Sequence, residues 1–244
     1  MANISYNEVN KASNNSNEYA VGFFNLKDGE EAIVRFAITS IDDFELFTVH
    51  PITVGQSSYP NRRVSCLRSN PKTDPMNMCP LCARGEKVQQ RMYIKMIQYV
   101  NENGQIIPKA VVWDRPAYSY APQIKSYLDN YGPLTNIICK IVRHGAGLET
   151  KYDIIPNLNP QMYSDQIYVK DFSAFSNFKI LGRMVLDKSF EDINEFILTG
   201  NFPMKDNTAA SYPQGNTPNT QNASVQPQEI PNNTSTISRP VRYY

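Results

Sequence analysis

The chain has 244 residues, of which 41% are hydrophobic, and its formal net charge at pH 7 is +1. This length and apolar content can build a globular core, which excludes a wholly disordered protein. No stretch approaches the roughly 18 apolar residues of a membrane span, and the first twenty residues lack the apolar run of a secretion signal. We therefore expect a cytoplasmic protein that neither crosses a membrane nor is secreted.

Charge is distributed unevenly along the chain. Residues 1–54 carry a net charge of −5 and residues 126–203 a net charge of −2, whereas residues 55–125 carry +7. A local basic surface can bind a polyanion even when the whole protein is nearly neutral. The middle of the chain is therefore the candidate region for binding nucleic acid.

The first predicted elements are short strands. Residues 22–26 and 31–37 flank a turn signal at residues 27–29, which predicts a hairpin. Residues 46–54 are rich in β-branched and aromatic side chains. The proline among them predicts either an edge strand or a strand that ends near Pro51.

The next elements are a short helix, predicted at residues 84–91, and a second hairpin. Its strands at residues 93–100 and 106–113 flank the turn signal at residues 101–104. A meander of antiparallel strands is therefore expected in the middle of the chain.

Two helices and a third hairpin complete the predicted core. Apolar residues at helical spacing predict an amphipathic helix over residues 121–131. Residues 137–143 and 150–155 bracket a glycine-containing turn and predict the hairpin. A capping box that begins at Ser189 predicts a last helix, which should stop at Gly200.

Many short strands with few helices indicate a mainly β protein, and the five-stranded oligonucleotide-binding barrel (OB-fold) is the small barrel that fits best. We predict a flexible leader at residues 1–20 and an OB-fold-like core at residues 21–203, with a zinc subdomain at about residues 50–91. Residues 204–244 are rich in Asn, Gln, Pro, Ser and Thr. Such a composition cannot offset the entropy of ordering, so the tail is predicted to be disordered.

Three of the four cysteines have the spacing of a metal site. Cys79-Pro-Leu-Cys82 is a CxxC knuckle, and Cys66 lies thirteen positions upstream as a third ligand. His50, at the end of a predicted strand, is preferred over His144 as the fourth ligand. Three thiolates and one imidazole fill a tetrahedral shell, so we predict one structural Zn²⁺ per chain. The alternative is a surface loop with unligated thiols.

Single-stranded nucleic acid is held by cations along its backbone and by aromatic rings that stack on its bases. Both kinds of residue alternate between residues 55 and 125. Arg91, Tyr93 and Lys95 occupy alternate positions of a predicted strand, which places them on one face. The predicted phosphate contacts are Arg62, Arg63, Arg84, Lys87, Arg91, Lys95 and Lys109, and the predicted stacking rings are Tyr93, Tyr99, Trp113 and Tyr152. The alternative is that the tyrosines are ordinary barrel residues beneath a solvated basic face.

Several motifs occur together in a distinctive order: a strand at residues 29–36, the strand-borne His50, the three cysteines, Arg91 with Tyr93, and Tyr152-Asp153. In this order the chain resembles the zinc-containing single-stranded DNA-binding (helix-destabilising) proteins of T-even-type tailed phages. The resemblance covers roughly residues 22–160. The order of the zinc ligands is its most specific element.

The resemblance implies an OB-fold barrel with a zinc subdomain beside a cleft that Arg91, Tyr93 and Tyr152 would line. The implied function is to coat single strands during DNA replication, recombination and repair, in the cytoplasm of a phage-infected bacterium. It also implies self-association on DNA and contacts with replication and recombination proteins. The chain departs from the family at both ends, because residues 1–17 contain a single basic residue, Lys11, and residues 204–244 form no acidic tail.

Catalysis is not expected. The chain has no GxxxxGK[ST] phosphate loop and only two histidines, and the predicted zinc shell is full. Two other functions stay open. RNA is a possible ligand because nothing in the sequence selects for or against a 2′-hydroxyl, and a zinc-containing scaffold could use its basic surface to bind another protein.

Overall fold

The computed structural model describes residues 21–203, which form an eight-stranded sheet with three α-helices and are mainly β. The strands are β1 (Gly22–Phe23), β2 (Glu31–Phe36), β3 (Glu45–Ile52), β4 (Arg62–Ser65), β5 (Gln89–Glu102), β6 (Gln105–Pro116), β7 (Cys139–His144) and β8 (Lys151–Ile155). The helices are α1 (Pro80–Ala83), α2 (Ala117–Tyr131) and α3 (Phe190–Thr199). The predicted leader and tail lie outside the described residues.

The hairpin of β5 and β6 is the centre of the sheet, and its antiparallel register runs from Arg91 opposite Pro116 to Glu102 opposite Gln105. The strand order is β1-β6-β5-β2-β7-β8, and β1 is parallel to β6. Strand β5 is shared by two partners on its other edge. Residues 89–93 pair with β3, which also pairs with β4, and residues 96–99 pair with β2.

Two local predictions are wrong. The turn at residues 27–29 forms, but β1 pairs with β6, and β2 lies between β5 and β7. A turn signal reverses the chain without choosing the partner of the strand before it. No helix forms at the predicted residues 84–91. A short helix, α1, ends at Ala83 instead, because Gly85 adopts a φ of 77° and the chain then extends into β5.

Side chains along β5 alternate between two cores, one on each face of the sheet. The first core contains Phe36, Met92, Ile94, Met96, Trp113, Cys139, Ile141 and, from α2, Ile124. The second core contains Val49, Tyr93, Ile97, Tyr99, Val112, Phe175, Phe178, Ile180 and Val185. Residues 163–185, which contain little regular structure, cover this second face. Strand β5 is therefore buried on both sides.

A third, smaller core lies beside the sheet. Ile52, Val64 and Leu81 pack there with three cysteines and with Ile193 of α3. We call residues 50–88 the metal module. Helix α3 begins at the predicted capping box and ends before Gly200, as expected from the sequence.

No helix within residues 21–203 has both the length and the apolar character needed to cross a membrane.

Candidate metal centre and nucleic-acid interface

Four side chains converge in the metal module: His50, Cys66, Cys79 and Cys82. Their ligand atoms all lie within 4.8 Å of one another, and all four residues are buried. Strand β3 carries His50, and Cys66 follows the last residue of β4. Of the knuckle cysteines, Cys79 caps the start of α1 and Cys82 lies within it. The structure thus brings together the four residues that the sequence predicted as ligands.

Three of the separations between these atoms match the edges of a tetrahedral metal site. The Sγ atoms of Cys66 and Cys82 are 3.5 Å apart. The Nε2 atom of His50 lies 3.6 Å from Cys79 Sγ and 3.4 Å from Cys82 Sγ. Metal–sulfur bonds of about 2.3 Å and metal–nitrogen bonds of about 2.0 Å place tetrahedral ligands roughly 3.5–3.8 Å apart. The cluster can therefore hold a metal ion, and its donor set is consistent with a structural zinc.

The imidazole of His50 is oriented by a backbone carbonyl. Its Nδ1 lies 3.1 Å from the carbonyl oxygen of Lys87, which assigns the ring proton to Nδ1 as the donor. The Nε2 atom that faces the cysteines is then free of a proton and able to bind a metal. Burial lowers the pKa of His50, and the Lys87 carbonyl and Glu86 only partly oppose this effect. The ring is therefore held in the neutral form that a metal ligand requires.

The thiols of Cys79 and Cys66 differ before any metal binds. Burial acts to raise the pKa of Cys79, but hydrogen bonds from backbone N–H groups, including those of Leu67 and Cys82, outweigh burial and lower it. Burial dominates at Cys66 and raises its pKa to about 12. Cys79 is therefore the thiol that ionises more readily, and metal binding must displace a proton from Cys66.

Arg68 lies beside the candidate metal centre, although in the sequence it is only one of the basic residues between 55 and 125. It is 6% exposed, and its Nε donates to the carbonyl of Asp74 at 3.0 Å. Another of its nitrogens, Nη1, lies 2.9 Å from Met76 Sδ and 3.6 Å from Cys82 Sγ. The guanidinium thus fixes the loop and places a positive charge beside a ligand thiolate. This residue contributes little to the outer surface.

Three of the four predicted stacking rings are buried. Tyr93 is 1% exposed and Tyr99 is 6% exposed in the second core, and Trp113 is fully buried in the first core. The Tyr99 hydroxyl accepts a hydrogen bond from the buried Arg35 and donates one to the carbonyl of Val169. Because an enclosed ring offers no face to a base, the prediction that these three rings stack on bases is wrong.

Two predicted phosphate contacts are bound to the same carboxylate. The Nε of Arg63 lies 2.6 Å from one oxygen of Asp114, and the Nε of Arg91 lies 2.6 Å from the other. Arg63 also donates to the side chain of Gln89. Asp114 therefore carries two cations and leaves one positive charge in excess.

The other predicted cations divide into two groups. Lys95 forms an ion pair with a glutamate of β3 and Lys109 with a glutamate of β5, each at 2.6 Å. Arg62, Arg84 and Lys87 are exposed. Within residues 21–203, neither Arg84 nor Lys87 forms an ion pair. The exposed group lies on the metal module, which is therefore the more available part of the basic segment.

The remaining predicted ring, Tyr152, belongs to a cluster that no pattern in the sequence predicts. The guanidinium carbon of Arg115 lies 4.1 Å from the ring centre of Tyr152, 4.7 Å from that of Trp113 and 5.8 Å from that of Tyr120. We call Arg115, Tyr120 and Tyr152 the Arg115 patch. Its arginine is half-buried, and no carboxylate in the described part of the chain pairs with it. Burial lowers the pKa of Arg115, so this charge is less well solvated than that of a surface arginine.

A second basic site, which we call the Arg63 cleft, lies between the metal module and the sheet. It has a volume of about 150 Å³. Its walls include Phe23, Arg62, Arg63 and Arg183, and Tyr93 also lines it. The buried hydroxyl of Tyr93 has no hydrogen-bond partner among the described residues. The sequence held no signal for this site, because Phe23 and Arg183 are distant in the chain from the basic segment.

No family model, curated protein or solved structure matches the chain.

Proposed function

We propose that the chain binds single-stranded DNA without sequence specificity and does so as a stoichiometric binder, not as an enzyme. The observation that carries this proposal is Arg115, a half-buried guanidinium that packs on three aromatic rings and has no carboxylate partner in residues 21–203. A single strand offers a phosphate to such a cation and unpaired bases to the neighbouring tyrosines. Double-stranded DNA keeps its bases stacked and offers only the phosphate.

The charges around the Arg115 patch support a path for a strand. Arg91 binds Asp114 in the wall of the Arg63 cleft, and its charge also acts on the hydroxyl of Tyr120. The patch and the cleft are thus linked by one arginine. The exposed Arg84 and Lys87 extend the positive potential over the metal module. Contacts of this kind neutralise phosphates with release of counterions and do not read sequence.

Zinc and the barrel are part of the same proposal. Three sulfurs and one nitrogen fill a tetrahedral Zn²⁺ shell, so the ion would hold the module and would not activate water. The antiparallel β2-β5-β6 region, with Ile124 of α2 packed in the first core, is the part of the fold that supports an OB-fold-like barrel. The proposed role, coating unpaired strands in phage DNA replication, recombination and repair, rests on the resemblance of the motifs.

The test is the anisotropy of labelled oligo-dT, measured at two salt concentrations with the metal-loaded chain. The Arg115→Met variant keeps an aliphatic chain against the rings and removes the charge. We expect its affinity to fall about tenfold at low salt and the slope of log K against log salt to shrink by about 0.7, the value for one phosphate contact on a single strand. The Lys179→Met control removes an exposed cation from the segment that covers the second core and should bind like the parent.

Other outcomes would change the proposal. Salt-independent binding, or an Arg115→Met variant that binds like the parent, would contradict it. Equal affinity for oligo-U and oligo-dT would broaden the ligand to single-stranded nucleic acid in general. If the folded, metal-loaded chain binds no oligonucleotide at low salt, a protein-binding scaffold becomes the better explanation of the basic surface.

A further inference from the structure

We infer that the Arg63 cleft is a phosphate subsite in which the hydroxyl of Tyr93 donates a hydrogen bond to the ligand. The identity of the ligand rests on the proposed function, whereas the site itself rests on three observations. These are a buried hydroxyl without a partner, a surplus of guanidinium groups, and an exposed aromatic ring at the rim.

The hydroxyl of Tyr93 is the first observation. The residue is 1% exposed, lines the cleft, and has no hydrogen-bond partner for its oxygen within residues 21–203. A buried hydroxyl that makes no hydrogen bond is costly, and a ligand that accepts one removes the cost. Burial, aided by the charge of Asp114, raises the pKa of Tyr93. The hydroxyl therefore stays protonated and acts as a donor.

The balance of charge is the second observation. Asp114 is the one acidic residue among those that line the cleft, and it already binds both Arg63 and Arg91 through separate oxygens. Arg183 packs over Phe178 at 5.3 Å and forms no ion pair with any described residue. An anion with several acceptor oxygens can bind guanidinium groups and the tyrosine together, as a phosphate does.

Phe23 is the third observation. It lines the same cleft from β1, and 55% of its surface is exposed, although the next residue, Phe24, is buried in the first core. An exposed ring beside an anion site can stack on a base attached to the phosphate. One nucleotide therefore suits the cleft, since its phosphate can bind the arginines and Tyr93 while its base stacks on Phe23. Its phosphate could be the free 5′ end of a strand or an internal phosphodiester.

The experiment uses the full, metal-loaded chain with three probes: inorganic phosphate, and hexamers of dT with either a 5′-phosphate or a 5′-hydroxyl. Tyr93→Phe removes only the hydroxyl and keeps the ring that packs edge-on against Phe47. We expect the variant to bind phosphate about tenfold more weakly than the parent, as for a lost hydrogen bond to a charged group. Its melting temperature should not fall, because the deleted hydroxyl has no partner to lose. The matched control is Tyr131→Phe, at an exposed tyrosine of α2, and Arg183→Gln is the second cleft variant.

The hexamers distinguish the two sources of phosphate. A preference of the parent for the 5′-phosphorylated hexamer that disappears in Tyr93→Phe and Arg183→Gln assigns the subsite to a strand end. An equal loss for both hexamers assigns it to an internal phosphodiester. If Tyr93→Phe and Arg183→Gln bind all three probes like the parent, the subsite is refuted while the proposed function stands. If inorganic phosphate binding depends on Tyr93 but no hexamer binds, the subsite stands and the proposed function fails.

Discussion

The metal module and the sheet differ in what holds them together. Cys66, Cys79 and Cys82 make up a large share of the buried residues of the module, whose apolar core is small. The sheet buries apolar side chains on both faces of β5 and encloses Trp113, the single tryptophan of the chain. A small core whose interior is occupied by candidate metal ligands should depend on a bound ion, whereas a sheet buried on two sides should depend on packing. The two regions should therefore fail under different treatments.

Removal of the metal should give the largest effect, and it should be confined to the module. Structural zinc sites in small peptides contribute roughly 10–16 kcal/mol of apparent binding free energy, so the Cys82→Ser variant or a chelator should unfold the module. Amide exchange should accelerate throughout residues 50–88, while the emission maximum of Trp113 stays unchanged. Metal analysis should show one ion per parent chain and none per variant. A red shift of Trp113 emission on chelation would instead show that both regions unfold as one unit.

The reverse experiment is a cavity in the first core. Ile94 is 1% exposed there, so Ile94→Ala should lower the free energy of unfolding by about 2–5 kcal/mol. Urea unfolding followed by Trp113 fluorescence measures this loss, and the folded variant should still bind one metal ion. The control, Ile155→Ala, removes the same atoms from a residue of β8 that is 44% exposed. It should change the stability by no more than about 0.5 kcal/mol.

Alkaline pH should separate the thiol of the sheet from those of the module. Burial raises the pKa of Cys139 from its ordinary value of 9.0 to about 12. The folded state thus holds its proton more tightly than the unfolded state. The resulting stability is complete below pH 9 and is lost as the pH rises through about 12.

The loss should approach about 1.4 kcal/mol per pH unit within that interval. Unfolding free energies of the parent and of Cys139→Ala, compared between about pH 8 and pH 11, isolate this contribution, since other groups titrate in both proteins. Equal slopes would contradict it. The metal-bound thiolates should behave in the opposite way, with affinity lost as the pH falls and protons compete for sulfur.

The smallest effect concerns the helix that packs on the module. The Ser189 side chain accepts a hydrogen bond from the N–H of Asp192, whose carboxylate accepts one from the N–H of Ser189. Ser189→Ala should destabilise α3 by about 1 kcal/mol. Ser189→Asp keeps an acceptor at the cap and should retain most of the stability. Denaturant unfolding of the metal-loaded proteins measures both, and an unchanged Ser189→Ala variant would show that packing alone holds the helix.

The cluster of candidate metal ligands could be predicted from the sequence, whereas the burial of most of the predicted stacking rings could not. The CxxC knuckle with a third cysteine has few uses other than metal binding, so the spacing of the cysteines is enough to predict a metal site. An alternation such as Arg91, Tyr93 and Lys95 places residues on one face but does not say what covers that face. Residues 163–185 cover the face of β5 that carries Tyr93, and no periodic pattern in their sequence predicted this. Arg115 was visible only as one more basic residue, because its partners Tyr120 and Tyr152 approach through the fold.

Helices and strands formed by neighbouring residues could be predicted from the sequence, whereas pairings between distant segments could not. The β5–β6 hairpin, α2 and α3 are fixed by neighbouring residues and were predicted. The parallel pairing of β1 with β6 joins distant segments, so no local pattern contained it. Strand β4 was also missed, because its four residues are mostly polar and pair with β3 beside the metal module.

Strand β5 pairs with β2, β3 and β6, and this arrangement suggests an order of folding. Asn103 and Gly104 both have positive φ, as a two-residue hairpin turn requires, and twelve residue pairs of β5 and β6 follow from that turn. A hairpin of this kind closes within microseconds, whereas β2 and β3 must search across longer loops for the same strand edge. We expect folding to begin at this hairpin and the ion to be captured late, after β3 has docked and brought His50 to the cysteines. The rate of metal uptake during refolding would then report the docking of a strand and not the chemistry of the thiols.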